Sequence, residues 1–428
     1  MSTEEQIEYK SYYTGVFAVN YLFQGMVTSV FAVIVPIHLL INFIAVIDVT
    51  QIANIATIIM IPWAIKIFFG ILTDKFGIKN FGRRKPWIIG PVCMAGLGWI
   101  VLGIPGLMGL GNPITIFLIA GFLIATGGAF GDTATDGLIL DICPKEQLGR
   151  TQGICWGVRS VGMIAGGPIM ALLVVFAGLS VEAVFIILGV LMITTSLTTL
   201  LVKEPSEYRD THVIQHIKQM VNNKKDWKTY IYALFNAFLD GIAVLFVSIF
   251  ILVELHLMTL TGTELSLPTD DLMIYVYNGN INLIISAGIV IGSIIGGRIS
   301  DLVSRKLSSY VSFLLTTVVL LLIMLPLGGM FSLIMSCCLG FAIGYRHSSY
   351  AAVIGEYSKK HPEMSGTYYS ICNSFANIGS TVGIIITGRL FDLTGAWWTI
   401  FLFMAIISNL GLLGFYFMDP KDYESSRE

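Results

Sequence analysis

Long apolar runs, interrupted by short polar or Gly/Pro-rich breaks, set the rhythm of this chain. They predict twelve helices, over 12–41, 51–72, 87–107, 113–140, 152–177, 181–202, 229–255, 275–299, 308–328, 331–354, 366–391 and 395–418. Each reaches the roughly 20 residues that one membrane crossing needs. Two stretches, Trp87 to Gly131 and Leu307 to Tyr345, contain no Asp, Glu, Lys or Arg, and each holds two spans. The longest break, 203–227, divides the spans six and six. Within it Val213, Ile217, Met220 and Val221 repeat at helical spacing, which predicts a short interfacial helix. The expected organisation is a bundle over 1–202, a central loop over 203–228, a second bundle over 229–418 and a tail over 419–428. This is an all-α integral membrane fold.

Composition agrees. Of 428 residues, 55 % are hydrophobic and 12 % charged, about half the charge of a soluble chain. A net charge of −2 gives no reason to expect nucleic acid as a partner. The six cysteines show no metal-site spacing, and the acidic start, MSTEEQIEYK, is unlike a cleaved signal peptide. The cations are distributed unevenly. Of 25 Lys and Arg residues, 21 fall in the even-numbered connectors, at their helix ends or in the two tails, and the opposite connectors have none. Positive charge accumulates on the cytoplasmic side of membrane proteins. Both termini are therefore expected in the cytoplasm, with the chain in the plasma membrane, most simply as a monomer.

The connector after the second span reads GILTDKFGIKNFGRRKPW, and the connector after the eighth opens GRISD. Gly70 and Asp74 thus recur as Gly297 and Asp301, 227 residues later in each case. A motif repeated at half-length signals an internal structural repeat. With twelve spans and a charged central loop, the chain resembles the major facilitator superfamily over essentially its whole length. Gly70, Asp74, Lys75, Gly82, Arg83 and Arg84 match the superfamily's loop motif, with an insertion, FGIKN, before the final Gly-Arg-Arg. The resemblance implies two pseudo-symmetric six-helix bundles and a gating role for Asp74, Arg83 and Arg84. More finely, PWAIKIFFGILTD and GDTATDGLILDICPKEQLGRTQG look like muropeptide permeases, acetyl-CoA transporters and folate–biopterin transporters, which share a Lys in the second span, here Lys66. FGRRKPW also resembles the glycoside–pentoside–hexuronide symporters, and GMIAGGP is a partial match to a drug-antiporter motif.

Charges inside the bilayer cost at least ~2.5–3.5 kcal/mol each on insertion scales and so have partners or roles. Lys66, Asp132, Asp136, Arg159, Asp240 and Arg346 lie well within predicted spans. Counting ~1.5 Å per residue from the helix ends puts Asp132 and Arg159 at equal depth, which predicts an ion pair. Asp136 lies one turn lower, near the interface. Asp240 and Arg346 lack an opposite charge in their own hairpins and are expected to pair with each other, at least in one conformation. In the superfamily, spans 1, 4, 7 and 10 line the cavity, which implies a solute and coupling site built from Asp132, Asp240 and Arg346 with Asn20, Gln24 and Asn236. Asn373 and Asn377, a polar stripe on span 11, are assigned to the same solute site. Lys66, Gly70, Asp136, Arg159 and Asp301 are assigned to structure and gating. Glycine rows on spans 5, 8 and 11 suit either a sliding interface between the halves or tight static packing.

No Walker A, His-Glu-x-x-His or Gly-x-Ser-x-Gly pattern occurs, so the reading is a transporter and not an enzyme. The expected function is secondary active transport of a small polar organic solute, with no bound cofactor. The driving force is expected to be a proton gradient, with sodium as the alternative ion and Asp240 as the proton carrier. A proton-driven exporter and a non-transporting assembly factor on the same fold are the competing readings.

Overall fold

The computed structural model describes residues 9–43, 49–78, 81–107, 111–204, 218–219, 221–261, 264–266, 272–358 and 365–424. The interfacial helix expected on Val213, Ile217, Met220 and Val221 lies, apart from Val221, outside them. The chain divides into two compact units: Met1–His38 with Ile58–Ile214, and Leu39–Thr57 with Gln215–Glu428. The division near residue 214 falls inside the expected central loop. The assignment of Leu39–Thr57 to the second unit has no counterpart in the sequence pattern.

The first stretch contains α1 (Ser11–Phe43), α2 (Val49–Ala64), α3 (Lys66–Lys75), α4 (Lys85–Leu102), α5 (Pro113–Ile142), α6 (Lys145–Ile164), α7 (Met170–Phe176) and α8 (Val181–Thr198). Local chemistry sets several boundaries. Asn112 accepts from the backbone N–H groups of Ile114 and Thr115, and Pro113 follows at the position that needs no donor, so α5 starts there. The second span carries Pro62 and breaks at Ile65, and α3 resumes on Lys66. The fifth span carries Pro168 within a π-helical turn, Ala165–Ile169, that joins α6 to α7. Trp99, wholly buried, packs against Phe31 and Phe185 at ring separations of 4.8 and 5.1 Å.

The second stretch contains α9 (Trp227–Asn236), α10 (Asp240–Glu254), a hairpin of β1 (Thr259–Thr261) and β2 (Glu264–Ser266), α11 (Met273–Leu302), α12 (Arg305–Leu322), α13 (Gly329–Ser358), α14 (Ser365–Thr394), α15 (Trp397–Ile407) and α16 (Gly411–Tyr416). Among the described residues, eleven helices are long and apolar enough to cross a membrane. The remaining expected span, the seventh at 229–255, is α9 and α10, parted at Ala237–Leu239.

The glycine rows settle inside the units. A Cβ on Gly292 of α11 would stand 2.0 Å from the Phe341 carbonyl oxygen of α13, and one on Gly344 of α13 would stand 2.0 Å from that of Ile289. Gly162 and Gly166 similarly meet the backbone of Leu22 and Met26 in α1. Static close packing within each unit therefore accounts for these glycines.

Candidate functional site

Two charge clusters lie within the spans. In the first unit Lys66, freed to turn inward by the break at Ile65, donates to the Asp132 carboxylate, which is 4 % exposed. Its Nζ is also 3.9 Å from Asp136. The Tyr21 hydroxyl donates to Asp136. An aromatic wall surrounds the group: the Lys66 ammonium lies 5.9 Å from the Trp63 ring, and the Tyr21 and Trp156 rings are 6.0 Å apart. Asp132 is thus paired with Lys66 and not, as equal depth suggested, with Arg159. Depth does not fix rotation about a helix axis, which turns ~100° per residue. The Arg159 carbonyl lies against Gly25 of α1, and its guanidinium lies 4.8 Å from the Trp156 ring.

Asn20 and Gln24 face into this unit. Asn20 donates to the Val16 carbonyl at 2.9 Å. With Thr135 and Thr195 they line a water-sized cavity, and Gln24 Oε1 has no hydrogen-bond partner among the described residues.

In the second unit the break in the seventh span organises the polar groups. A parted helix leaves carbonyls without intrahelical donors. Arg346, 1 % exposed, supplies donors: its guanidinium reaches the Phe235 carbonyl at 2.9 Å, the Ser408 carbonyl at 3.1 Å and Asn236 Oδ1 at 3.2 Å. It also stacks 3.9 Å from the Phe313 ring centroid. The expected Asp240–Arg346 pair is not formed. Asp240 instead meets His347, with Nε2 to Oδ1 at 2.8 Å. Adjacent residues of α13 point to different sides, so Arg346 serves the helix break and His347 faces Asp240. Asn373 and Asn377 are half-buried on α14.

The motif connector is a brace. Arg83 Nη2 and Arg84 Nε reach Asp141 of α5 at 2.9 and 3.0 Å, and Arg84 Nη1 donates to Thr73 at 2.9 Å. Glu204, just past the sixth span, accepts from the backbone N–H groups of Arg83, Arg84 and Lys85 at 2.7, 2.9 and 2.8 Å. Gly82 has φ +118°, and a Cβ there would stand 2.6 Å from the Glu204 carboxyl carbon. Glycine is required on both counts. Asp74 lies within α3, just beyond the expected end of the second span, and Gly70 one turn before it; the Asp74 side chain is outside the described part.

The second unit repeats the arrangement. Arg305 reaches Glu356 at 3.0 Å, and Glu424, just past the twelfth span, accepts from Ser304 Oγ and the backbone N–H groups of Arg305 and Lys306 at 2.6, 3.1 and 2.8 Å. Asp301 is mostly exposed and comes only to 3.9 Å from Arg305. Partial burial works against the charge of Glu424, but these hydrogen bonds and the Arg305 guanidinium hold its carboxyl below the usual glutamate range.

Two units, each braced in the same way on the cation-rich side, carry the superfamily pattern into three dimensions. A family model of the Major Facilitator Superfamily matches residues 17–361 and 278–428. The chain belongs to the major facilitator superfamily. AmpG 1 of Rickettsia conorii, named as a transporter, is 27 % identical over 380 residues, covering 85 % of this chain and 88 % of that protein. Folate-biopterin transporter 4 of Arabidopsis thaliana is 24 % identical over 147 residues, 33 % of this chain and 29 % of that protein. Macrolide efflux protein A of Streptococcus pyogenes is 22 % identical over 338 residues, 76 % of each. Among solved structures, the nucleoside transporter NupG superposes with a TM-score of 0.69 at 12 % identity, covering 94 % of this chain and 99 % of that one. A bacterial homologue of the human lysosomal transporter Spinster, inward-facing and occupied, gives 0.67 at 15 % identity, covering 98 % and 100 %. The protein is a multi-pass membrane transporter of this superfamily and not an enzyme.

Sequence reasoning missed Tyr21, Asp141, Glu204, His347, Glu356 and Glu424. Glu204 and Glu424 had a signal: each is a carboxylate within six residues after the last expected span of a six-span half. His347 had one too, as an ionisable residue beside Arg346 deep in a span.

Proposed function

We propose that this major facilitator transporter moves a small polar organic solute by alternating access, coupled to protons, with Asp240 and His347 as the proton-carrying pair. One observation carries the reading. The pair is in contact at 2.8 Å beside the break in the seventh span, with His347 and Asp240 side chains 40 % and 31 % exposed. A carrier has to be reached by water and to change protonation during the cycle. Histidine is the side chain whose ordinary range lies nearest physiological pH, and a carboxylate in contact with it shares its proton. Asp132 is unsuited, because Lys66 neutralises it continuously. Discontinuous spans at mid-membrane are a recurring setting for solute and ion sites in transporters.

Purified protein in proteoliposomes tests this with a radiolabelled panel of sugars, nucleosides, peptides and organic acids. Under symport, an acid exterior drives accumulation, and Asp240→Asn keeps solute exchange while losing at least about tenfold of the accumulation. Accumulation that survives in Asp240→Asn removes the pair from the mechanism. Accumulation that follows sodium and ignores the pH gradient replaces the proton. Export is a second reading, favoured by the similarity to macrolide efflux protein A. It requires the opposite gradient, an acid lumen, to drive uptake.

A further inference from the structure

Arg159 is the second intramembrane cation of a first-unit cluster that also holds Lys66, Asp132 and Asp136. Asp132 holds Lys66, and Asp136 receives the Tyr21 hydroxyl. Arg159 is within electrostatic reach of Asp136 and Lys66, yet among the described residues its guanidinium has no hydrogen-bonded or ionic partner within 4 Å. Among the described residues it meets the Trp156 ring, at 4.8 Å. That ring is 54 % exposed, and beside it Gly157 has open space where a Cβ would stand. Arg159 lies inside the apolar span Ile154–Phe176, five residues from its start, ~7.5 Å along the axis at ~1.5 Å per residue. Asp136 reaches this guanidinium only at longer range, and an incompletely paired cation inside a span is costly, roughly 2.5–3.5 kcal/mol on insertion scales at the bilayer centre. Stacking on indole covers one face of the guanidinium and offsets part of that cost. It leaves the in-plane N–H groups open, a planar fork that matches a carboxylate with two parallel hydrogen bonds. The exposed part of the indole offers an apolar platform next to the fork.

We propose that Trp156 and Arg159 form an anion subsite, in which Arg159 takes the carboxylate of the transported solute and Trp156 takes the flat apolar face beside it. This rests on the proposed transport of a small organic solute and narrows that class to organic carboxylates. Thermal unfolding of the purified protein with matched acids and amides tests it: benzoate against benzamide, nicotinate against nicotinamide, and glucuronate against glucuronamide. Ligands that bind the folded state raise its melting temperature. At least one acid is expected to stabilise the wild type more than its amide. Arg159→Gln is expected to reduce that acid-over-amide preference by about tenfold or more, the lower end for a charge-assisted hydrogen bond. Trp156→Ala is expected to weaken acid and amide alike. Should Arg159→Gln not fold, Arg159→Lys carries the test, since a point charge without the fork loses part of the preference. The proposal is overturned if every amide stabilises as well as its acid, if no pair shifts the wild type, or if the preference survives in the Arg159 variants. Amides binding as well as acids would leave transport of a neutral polar solute standing, so the two readings fail separately.

Discussion

Lys66 and Asp132 are tolerated inside the first unit because each is the other's counter-charge. Removing one strands the other in a medium that solvates it poorly, at a cost of about 3–5 kcal/mol, whereas replacing both is often close to neutral. Asp132→Asn and Lys66→Met are each expected to lower the yield of folded, monodisperse protein severalfold. The double variant is expected to recover towards wild type, measured by fluorescence-detected size exclusion. A double variant as poor as the product of the single losses would show that the contact contributes nothing. Arg346 is a different case, a buried cation with no carboxylate on its guanidinium. Two carbonyls, an amide oxygen and the Phe313 ring receive it. Its charge is spread over several partial charges, which suits a planar guanidinium and not a compact ammonium.

At the scale of elements, both units use one device to begin a span. The helix after the motif connector starts with unpaired N–H groups, and a carboxylate from just past the unit's last span accepts from them. Glu204 does this for α4 and Glu424 for α12. The contact joins segments over a hundred residues apart and closes each unit at its cation-rich end. A carboxylate at a helix N-terminus is favoured by both the orphan donors and the helix dipole, and losing such a cap costs about 1 kcal/mol. The pH dependence follows from the lowered folded-state value of Glu424. Its contribution is fully present above the unfolded value, ordinarily about 4.5, and is lost as pH falls through the lower folded value. Glu424→Gln is therefore expected to melt a few degrees below wild type at pH 7, with the gap closing as the pH falls below about 4.5. A gap that stays constant from pH 7 to pH 4 would assign the effect to packing and not to the carboxylate.

For the whole molecule, eleven of the expected spans are found as long apolar helices because unbroken apolar length is a strong signal and hydrocarbon leaves a backbone few other options. The break in the seventh span was not legible. Residues 237–239 read Ala-Phe-Leu, with neither glycine nor proline, and the groups that satisfy the parted backbone come from Arg346, over a hundred positions away. The buried charges were legible as a set, since few residues of that kind occur in the spans. Their pairing was not, because it depends on the rotation of each helix and on kinks such as that at Ile65. The motif connector was recognised from its glycines and arginines, while its acceptors lie in other segments: Asp141 carries no local mark, and Glu204 only its place just past the sixth span. Orientation rests on the cations alone. The connectors that hold them also hold the arginines of both braces. The positive-inside rule predicts that this side is cytoplasmic. Single cysteines at Lys224 and Thr259, both exposed and in connectors of opposite parity, test that placement. In sealed cells a membrane-impermeant maleimide is expected to label Thr259→Cys above the parent protein and to label Lys224→Cys only after permeabilisation. The reverse pattern would invert the orientation. Equal labelling of both in sealed cells would mean that an even number of crossings lies between the two positions, which the break at residues 237–239 makes a pointed test: α9 and α10 must together count as one crossing for the two positions to differ.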